Sequence, residues 1–335
     1  MKIRIQTQSL VTAFVCPIAL LEKQGHELTL FCDRTPPVAN CDHDYTYEIL
    51  TRRGSILIRP LREFRAEEGA LHLLGLSHST PYPNGCLRAF FRGLSRGAPF
   101  IIAYDSAFGA RRQLVTAQLR SLAKEPGLRK AKRIVYLSDP KELDVFSLLA
   151  PARNFCLSPS TDFVFSEPHW RLLFSDFDPA APRPKRLCFA GAGTAKREEI
   201  VRLLGPMLNP SDAVALNARL DNEAYVKELL ESDFSLCLPG AGAWSHRIIE
   251  SLLLGAIPVV GRRAYAFVEE MVPREAVILV EEDYAAEAWL RAAEKATSVP
   301  KEERIRKHTI IHDIRERHWK NGGLERLITE PFLIG

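Results

Sequence analysis

Residues 232–260 read SDFSLCLPGAGAWSHRIIESLLLGAIPVV. The pattern predicts a buried strand at Phe234–Leu238, a glycine-rich turn, a helix at Ser245–Leu254 and a second buried strand at Ile257–Val260. A strand, a helix and a strand in this order build a parallel sheet, and such sheets bind ligands at the carboxyl ends of their strands. The glycines let a ligand approach the backbone, and the free N–H groups at a helix start favour an anion.

The same alternation continues on both sides of this stretch. Further strands are predicted at residues 2–6, 27–32, 55–58, 71–76, 100–103, 133–137, 154–157, 186–190, 213–216 and 276–280. Further helices are predicted at residues 10–23, 196–204, 222–230, 265–271, 285–296 and 301–320. Three prolines between residues 175 and 186 disfavour both helix and interior strand and indicate a linker. We therefore expect an α/β protein with a Rossmann-like domain at 1–170, a linker at 171–186, a second Rossmann-like domain at 187–300 and a helical segment at 301–335.

The composition excludes several classes of protein. A chain of 335 residues, 46% of them hydrophobic, has room for two folded cores. A net charge of +4 is too small to indicate a nucleic-acid-binding protein. Seven scattered cysteines without a CxxC pair favour free thiols in a reducing compartment. No apolar run reaches the roughly 18 residues that span a bilayer, so we expect a cytoplasmic protein that can associate peripherally with the inner membrane face.

On spacing alone, the loop at 240–242 is a weak signal. It matches neither the full dinucleotide-binding pattern GxGxxG nor the phosphate-binding pattern GxxxxGK[ST]. A turn that merely connects a strand to a helix explains the glycines equally well.

Residues 223–260 resemble the signature of exostosin-type (GT47-like) glycosyltransferases and, more broadly, the donor domain of GT-B enzymes. The resembling positions are Tyr225, Ser232–Pro239, Gly240, Ser245, Arg247, Glu250 and Gly255–Val260. Arg186–Gly191 together with Arg197 is similar to the strand that opens the donor domain of that family. Leu21–Phe31 resembles the first βαβ turn of many GT-B acceptor domains. The strong resemblance covers about a quarter of the chain.

The resemblance implies a GT-B architecture, in which two Rossmann-like domains face each other across a cleft and the C-terminal helix crosses back to the first domain. It implies an inverting, metal-independent enzyme that moves a sugar from a UDP- or GDP-sugar to a hydroxyl of a saccharide or glycolipid, in bacterial surface polysaccharide or glycan assembly. No cofactor beyond this donor is expected. We expect no membrane anchor in this chain, and its acceptor half is shorter than in eukaryotic exostosins, so the sugar and the acceptor are not carried over.

The donor site is expected at two loops of the second domain. Arg247 would bind the diphosphate through two hydrogen bonds, and Glu250 would accept hydrogen bonds from the ribose diol. Ser245 would cap the helix or donate to a phosphate, and Asn217 would border the base. The full set of expected nucleotide-sugar ligands is Gly191, Gly193, Thr194, Lys196, Arg197, Asn217, Pro239, Gly240, Gly242, Ser245, His246, Arg247 and Glu250.

An inverting transfer needs a general base at the acceptor hydroxyl. Asp105 follows an apolar strand of the first domain and is the first candidate, and His78 is the second. Asp139 and Asp162 occupy similar positions but are more typical of helix caps. A retaining mechanism, which would need no such base, stays open.

Two short motifs raise the possibility of a metal-dependent enzyme. Asp42-His43-Asp44 and Asp176-Phe177-Asp178 match the metal-binding DxD pattern, but one falls in a predicted loop and the other in the predicted linker, so no metal site is expected. A non-catalytic module that binds a nucleotide sugar, or another enzyme of GT-B fold such as an epimerase, remains an alternative.

Overall fold

The structure is a computed structural model, and it describes residues 1–7, 12–33, 50, 54–77, 90–92, 94, 98–105, 124, 126–137, 153–160, 163–164, 166–217, 220–240 and 242–333. The chain forms two compact units. Unit 1 contains Met1–Thr161 and Arg326–Gly335, and unit 2 contains Asp162–Glu325. The functional division into acceptor domain, linker, donor domain and crossing helix stays a prediction.

Unit 1 is built on a parallel sheet of seven strands. In chain order these are β1 Lys2–Thr7, β2 Glu27–Phe31, β3 Leu57–Arg59, β4 Leu71–Ser77, β5 Phe100–Asp105, β6 Arg133–Tyr136 and β7 Arg153–Phe155. Their order across the sheet is β3-β2-β1-β4-β5-β6-β7. Helix α1, Thr12–Lys23, connects β1 to β2. Every residue of β5 is buried, as a central strand covered on both faces requires.

Aromatic rings fill much of the unit 1 core. Phe64 packs edge-on against Phe31, with ring centres 5.2 Å apart, and lies 4.8 Å from the ring centre of Phe90. The C-terminal residues complete the same unit, because Phe332 is fully buried and its ring lies 6.3 Å from that of Phe14. The guanidinium of Arg133 donates to three backbone carbonyls between Glu330 and Leu333.

Unit 2 is built on a parallel sheet of five strands with the order β12-β11-β10-β8-β9. The strands are β8 Lys185–Gly191, β9 Ala213–Leu216, β10 Ser232–Cys237, β11 Ile257–Gly261 and β12 Ile278–Val280. The helices are α2 Glu167–Leu172, α3 Ala195–Leu204, α4 Asn222–Leu230, α5 Arg247–Leu253, α6 Arg262–Tyr265, α7 Ala286–Ser298 and α8 Lys301–Ile314; α9 Gly323–Thr329 leads into the last segment of unit 1. None of the helices described is long and apolar enough to cross a membrane.

The segment predicted as a linker packs closely against unit 2. The ring of Phe177 lies against Gly255 and has the guanidinium carbons of Arg183 and Arg315 at 5.5 and 5.3 Å from its centre. Arg315 is only 1% exposed and donates hydrogen bonds to the carbonyls of Phe174 and Ser175, each at 2.7 Å. Phe174, Ser175 and Phe177 are therefore held by contacts within unit 2, while the Asp176 side chain is exposed.

The predicted helix at 301–320 changes type in its second part. Helix α8 ends at Ile314, and residues Arg315–Trp319 form a wider π-helical turn. It closes with a 2.9 Å bond from Lys320 N to the Arg315 carbonyl. A π-helical turn contains one more residue than an α-helical turn, and the apolar pattern of the sequence does not show where that residue is inserted.

Candidate functional site

The predicted ligand residues of unit 2 lie mainly at the carboxyl edge of its sheet. Because the five strands are parallel, the loops that follow them leave from one edge. We call residues 191–194, after β8, the first glycine loop, and residues 238–240 with 242–246, after β10, the second glycine loop. Strands β8 and β10 are direct neighbours, with Phe234 opposite Leu187, so the two loops start side by side.

The first glycine loop is fixed by Asn217, the residue that follows β9. The Gly193 N–H donates to Oδ1 of Asn217 at 2.7 Å, and the Asn217 N–H donates to the Gly191 carbonyl at 2.7 Å. A Cβ at Gly193 would lie 2.9 Å from Nδ2 of Asn217, so a larger residue there would require the Asn217 side chain to move. Thr194 caps helix α3 by accepting from the Arg197 N–H. The structure thus brings these predicted residues together.

Lys196 lies apart from this arrangement. Its Nζ pairs with Oε2 of Glu199 at 2.9 Å, and both side chains are partly exposed. An exposed pair of this kind contributes little to stability. A role for Lys196 at the phosphates stays a prediction.

The second glycine loop folds back on itself and is held by Arg197. The Gly240 N–H donates to the Gly242 carbonyl at 3.0 Å. The guanidinium of Arg197 donates from Nε to the Pro239 carbonyl at 3.1 Å and from Nη2 to the Leu238 carbonyl at 3.2 Å. Sequence reasoning assigned Arg197 to the phosphates and missed these contacts.

Helix α5 begins at Arg247, two residues later than predicted. The residue before its first turn is His246, whose side chain makes no capping hydrogen bond. The His246 carbonyl accepts from the Ile249 and Glu250 N–H groups, and the Ser245 carbonyl accepts from Ile248 N–H at 3.1 Å. The predicted cap at Ser245 is therefore wrong, because Ser245 lies one position before the cap.

Arg247 is a buried cation between two aromatic rings. Arg247 is the first residue of α5, and only 9% of its surface is exposed. The guanidinium carbon lies 4.9 Å from the ring centre of Phe189 and 5.0 Å from that of Tyr225. Its Nη2 donates to the Ala190 carbonyl, the one hydrogen bond of this guanidinium to the part of the chain that the structure describes. Burial alone would lower the pKa of Arg247, but Tyr225 and Glu250 outweigh it and raise the pKa.

Glu250 lies one turn further along α5 and is 3% exposed. Its Oε2 accepts a 2.5 Å hydrogen bond from the Tyr225 hydroxyl. Burial raises the pKa of Tyr225 well above its ordinary value; Arg247 opposes this shift and Glu250 adds to it, so Tyr225 stays a donor. The expected contact of Glu250 with a ribose stays a prediction.

Two arginines share one aromatic ring at this site. The guanidinium carbon of Arg197 lies 5.5 Å from the centre of the Phe189 ring, and that of Arg247 lies 4.9 Å from it. Within the described ranges, neither arginine forms an ion pair with a carboxylate. Burial and then the charge of Arg247 lower the pKa of Arg197, as expected for two like charges placed together.

In unit 1, Asp105 is the last residue of β5 and is 2% exposed. It lies opposite Ser77, the last residue of β4. It therefore occupies the strand-end position expected of a general base, and its role stays a prediction. His78, Asp42, Asp44, Asp139 and Asp162 lie outside the described residues.

The Asp176-x-Asp178 pair forms surface turns. The Asp176 side chain is 91% exposed and lies 3.5 Å from Nζ of Lys320. Asp178 accepts from the Ala180 N–H at 2.8 Å. No group of three or more histidine, cysteine, aspartate or glutamate side chains suited to a metal ion occurs in the described parts of the chain.

The fold matches that of known sugar transferases. Sucrose-phosphate synthase from Thermosynechococcus elongatus superposes with a TM-score of 0.61 at 11% identity, covering 98% of each chain. Trehalose 6-phosphate synthase from Burkholderia multivorans gives 0.56 at 11% identity, covering 99% of this chain and 95% of that one. WaaG, a glycosyltransferase involved in lipopolysaccharide biosynthesis, gives 0.51 at 9% identity, covering 98% of this chain and 100% of that one. No curated protein sequence matches the chain.

The fold is that of the glycosyltransferases of GT-B class. Within that class, residues 147–293 match the Exostosin GT47 domain. The match contains both glycine loops, Arg197, Arg247 and Glu250. The predicted α/β class, the GT-B fold and the resemblance to exostosin-type glycosyltransferases are confirmed.

Proposed function

We propose that this glycosyltransferase moves a sugar from a nucleotide-sugar donor to a hydroxyl of a saccharide or glycolipid acceptor, and that the donor diphosphate binds between the glycine loops of unit 2. The observation that carries the proposal is the buried guanidinium of Arg247. It has one protein hydrogen bond in the described structure and no carboxylate partner, although it lies beside Arg197.

A buried guanidinium that has unused hydrogen-bond donors favours an anionic ligand, in addition to the nearby charge of Glu250. A diphosphate suits a guanidinium because its oxygens can accept two parallel hydrogen bonds. The glycine loops let the phosphates approach the backbone. The same positive charge would stabilise the leaving nucleoside diphosphate as the sugar departs, without a metal ion.

For the acceptor side, we propose an inverting transfer in which Asp105 or His78 removes the proton from the acceptor hydroxyl. Asp105 ends a central strand of unit 1, where a carboxylate can face a ligand. Analysis of the product anomer by NMR decides between inversion and retention. A retained anomer would remove the need for either base.

The setting that we propose is bacterial surface polysaccharide or glycan assembly, in the cytoplasm or at the inner face of the membrane. One neighbour of the same fold, WaaG, is involved in lipopolysaccharide biosynthesis, which supports a saccharide or glycolipid acceptor. UDP- and GDP-sugars are the donors expected first.

The direct test is a thermal-shift screen of UDP-, GDP-, CMP- and dTDP-sugars with the wild-type protein and the R247M variant. R202M is the matched control, since Arg202 is exposed on helix α3. We expect one donor class to raise the melting temperature of the wild type and of R202M, but not that of R247M. If no nucleotide sugar shifts the wild type, the donor site is wrong.

Two further outcomes separate the alternatives. Binding without sugar transfer or donor hydrolysis, across a range of saccharide acceptors, would favour the non-catalytic module. Loss of activity in EDTA, with recovery on adding Mg²⁺ or Mn²⁺, would contradict the metal-independent mechanism.

A further inference from the structure

Arg197 connects the two glycine loops through backbone carbonyls. Its Nη1 donates to the Ala192 carbonyl of the first loop at 3.0 Å. Its Nε and Nη2 donate to the Pro239 and Leu238 carbonyls of the second loop at 3.1 and 3.2 Å. One planar side chain thus bonds to two loops that follow neighbouring strands.

The loops are shaped around this side chain. A Cβ at Gly240 would lie 3.1 Å from Nη2 of Arg197, and one at Gly191 would lie 3.6 Å from Nη1. The guanidinium also lies over the Phe189 ring, and the Arg197 N–H donates to Oγ1 of Thr194. Contacts at both ends of the residue therefore fix where the guanidinium lies.

The two arginines differ in how many of their N–H donors already bond to the protein. Arg197 has three of its five N–H donors committed to carbonyls. Arg247 has one committed, to Ala190. A phosphate bound by two parallel hydrogen bonds therefore finds more unused donors on Arg247 than on Arg197.

We propose that Arg197 is a positioning residue, which holds the two glycine loops at a fixed separation so that Arg247 and the loop backbone can bind the donor. The proposal rests on the proposed function for the identity of the ligand. It assigns Arg197 a role different from the phosphate contact expected from the sequence.

The R197K variant tests this division because it keeps the positive charge and loses the fork of three donors. Dissociation constants are measured for UDP against uridine and for GDP against guanosine, with R202K on the same helix as the control. We expect R197K to weaken the diphosphate and its nucleoside alike, by about tenfold, because both contact displaced loops. R247K should weaken only the diphosphate. A loss confined to the diphosphate in R197K would overturn the proposal.

A second measurement needs no ligand. We expect amide hydrogen exchange in residues 192–194 and 240–246 to be about tenfold faster in R197K than in R202K or wild type. Unchanged exchange there would overturn the positioning role. If neither nucleotide binds the wild type, the donor assignment fails, while the exchange result still decides what Arg197 does.

Gly240→Ala provides an independent check through a double-mutant cycle. If Gly240 is needed because Arg197 fills the space beside it, then G240A should accelerate exchange in the wild-type background and add nothing in R197K. Additive effects of the two substitutions would contradict the proposed contact.

Discussion

The hydroxyl of Tyr225 donates a 2.5 Å hydrogen bond to Oε2 of Glu250, and this bond joins α4 to α5. The ring of the same tyrosine lies 5.0 Å from the guanidinium carbon of Arg247. One side chain therefore contacts both the carboxyl and the cation of the proposed donor site. The four tryptophans all lie within residues 162–325, so tryptophan fluorescence reports the unfolding of unit 2 alone.

Tyr225→Phe removes the hydrogen bond and keeps the ring. We expect the free energy of unfolding of unit 2 to fall by about 1.5 to 3 kcal/mol, because the acceptor is a buried acidic side chain. Tyr265→Phe is the control, since its hydroxyl donates to the Val272 carbonyl at 2.9 Å. Its cost should be nearer 1 kcal/mol. Equal losses in urea unfolding would mean that the bond to Glu250 has no special strength.

Arg247→Met, without ligand, should change the stability of unit 2 by no more than about 1 kcal/mol. The substitution removes a buried charge that forms no ion pair in the described ranges, and it leaves one carbonyl, that of Ala190, without its donor. Arg315→Met should cost about 3 kcal/mol, because it leaves the carbonyls of Phe174 and Ser175 unsatisfied inside the unit. Urea unfolding checks the order of the two losses, and a reversed order would contradict the view of Arg247 as a functional rather than structural cation.

Gly255→Ala should be among the most destabilising single substitutions in unit 2. Its φ of 79° is unfavourable for alanine, and the new Cβ would lie 2.5 Å from the Phe177 ring. Gly322→Ala isolates the backbone effect, since its φ is 81° and the nearest atom would be 3.7 Å away. We expect about 1 kcal/mol for G322A and at least about 2 kcal/mol more for G255A. Similar losses would show that Phe177 moves aside freely.

As the pH falls, unit 2 should lose stability because His308 resists protonation, and this loss should begin before the carboxylates of unit 2 become protonated. Burial, the largest effect, lowers the pKa of His308 from 6.5, against the opposing contact with Asp233. The unfolded chain therefore binds a proton near pH 6.5 while the folded chain does not, so the stabilisation is present above pH 6.5 and declines as the pH falls below it. Arg183, which repels the protonated ring, acts in the same direction. Arg186 and Arg304, which pair with Asp233, add positive charge to the cluster.

His308→Gln provides the test, because an amide can still bond to the Gly255 carbonyl, which lies 2.7 Å from Nδ1 of His308. We expect the unfolding free energy of the wild type to fall between pH 6.5 and 5, and that of H308Q to fall less. The pKa of Asp233 is itself lowered from 3.8, so its contribution is lost only at a pH below this range. Parallel pH profiles for the two proteins would contradict the assignment.

Much of the architecture follows from local sequence pattern. Strand β9 at 213–216 and helix α4 at 222–230 were predicted with the bounds that the structure shows. Their apolar period and the cap at Asp221, which accepts from the Ala224 N–H, are local features. The glycine loops were also predictable, because a strand, two glycines and a helix follow one another closely in the chain.

The partners of long polar side chains were not predictable. The sequence identifies Arg197 as a cation near a helix start, but its carbonyl partner Pro239 is 42 residues away. The Tyr225–Glu250 bond likewise spans 25 residues, and no spacing rule connects these positions. Helix ends were missed for a related reason. The predicted helix at 265–271 overlaps α6, Arg262–Tyr265, only at Tyr265, and residues 266–271 form turns. The first turn of α6 is fixed by Asp283, which accepts from the Arg263 N–H.

Residues 326–333 belong to unit 1 although they follow unit 2 in the chain. Unit 2 is one continuous stretch of chain, whereas unit 1 is closed by Phe332 packing near Phe14 and by Arg133 binding the carbonyls of the final segment. On the ribosome, the portion made second can therefore finish folding before the portion made first. The early-made sheet must wait, with its last packing surface uncovered, until residues 326–333 have left the ribosome.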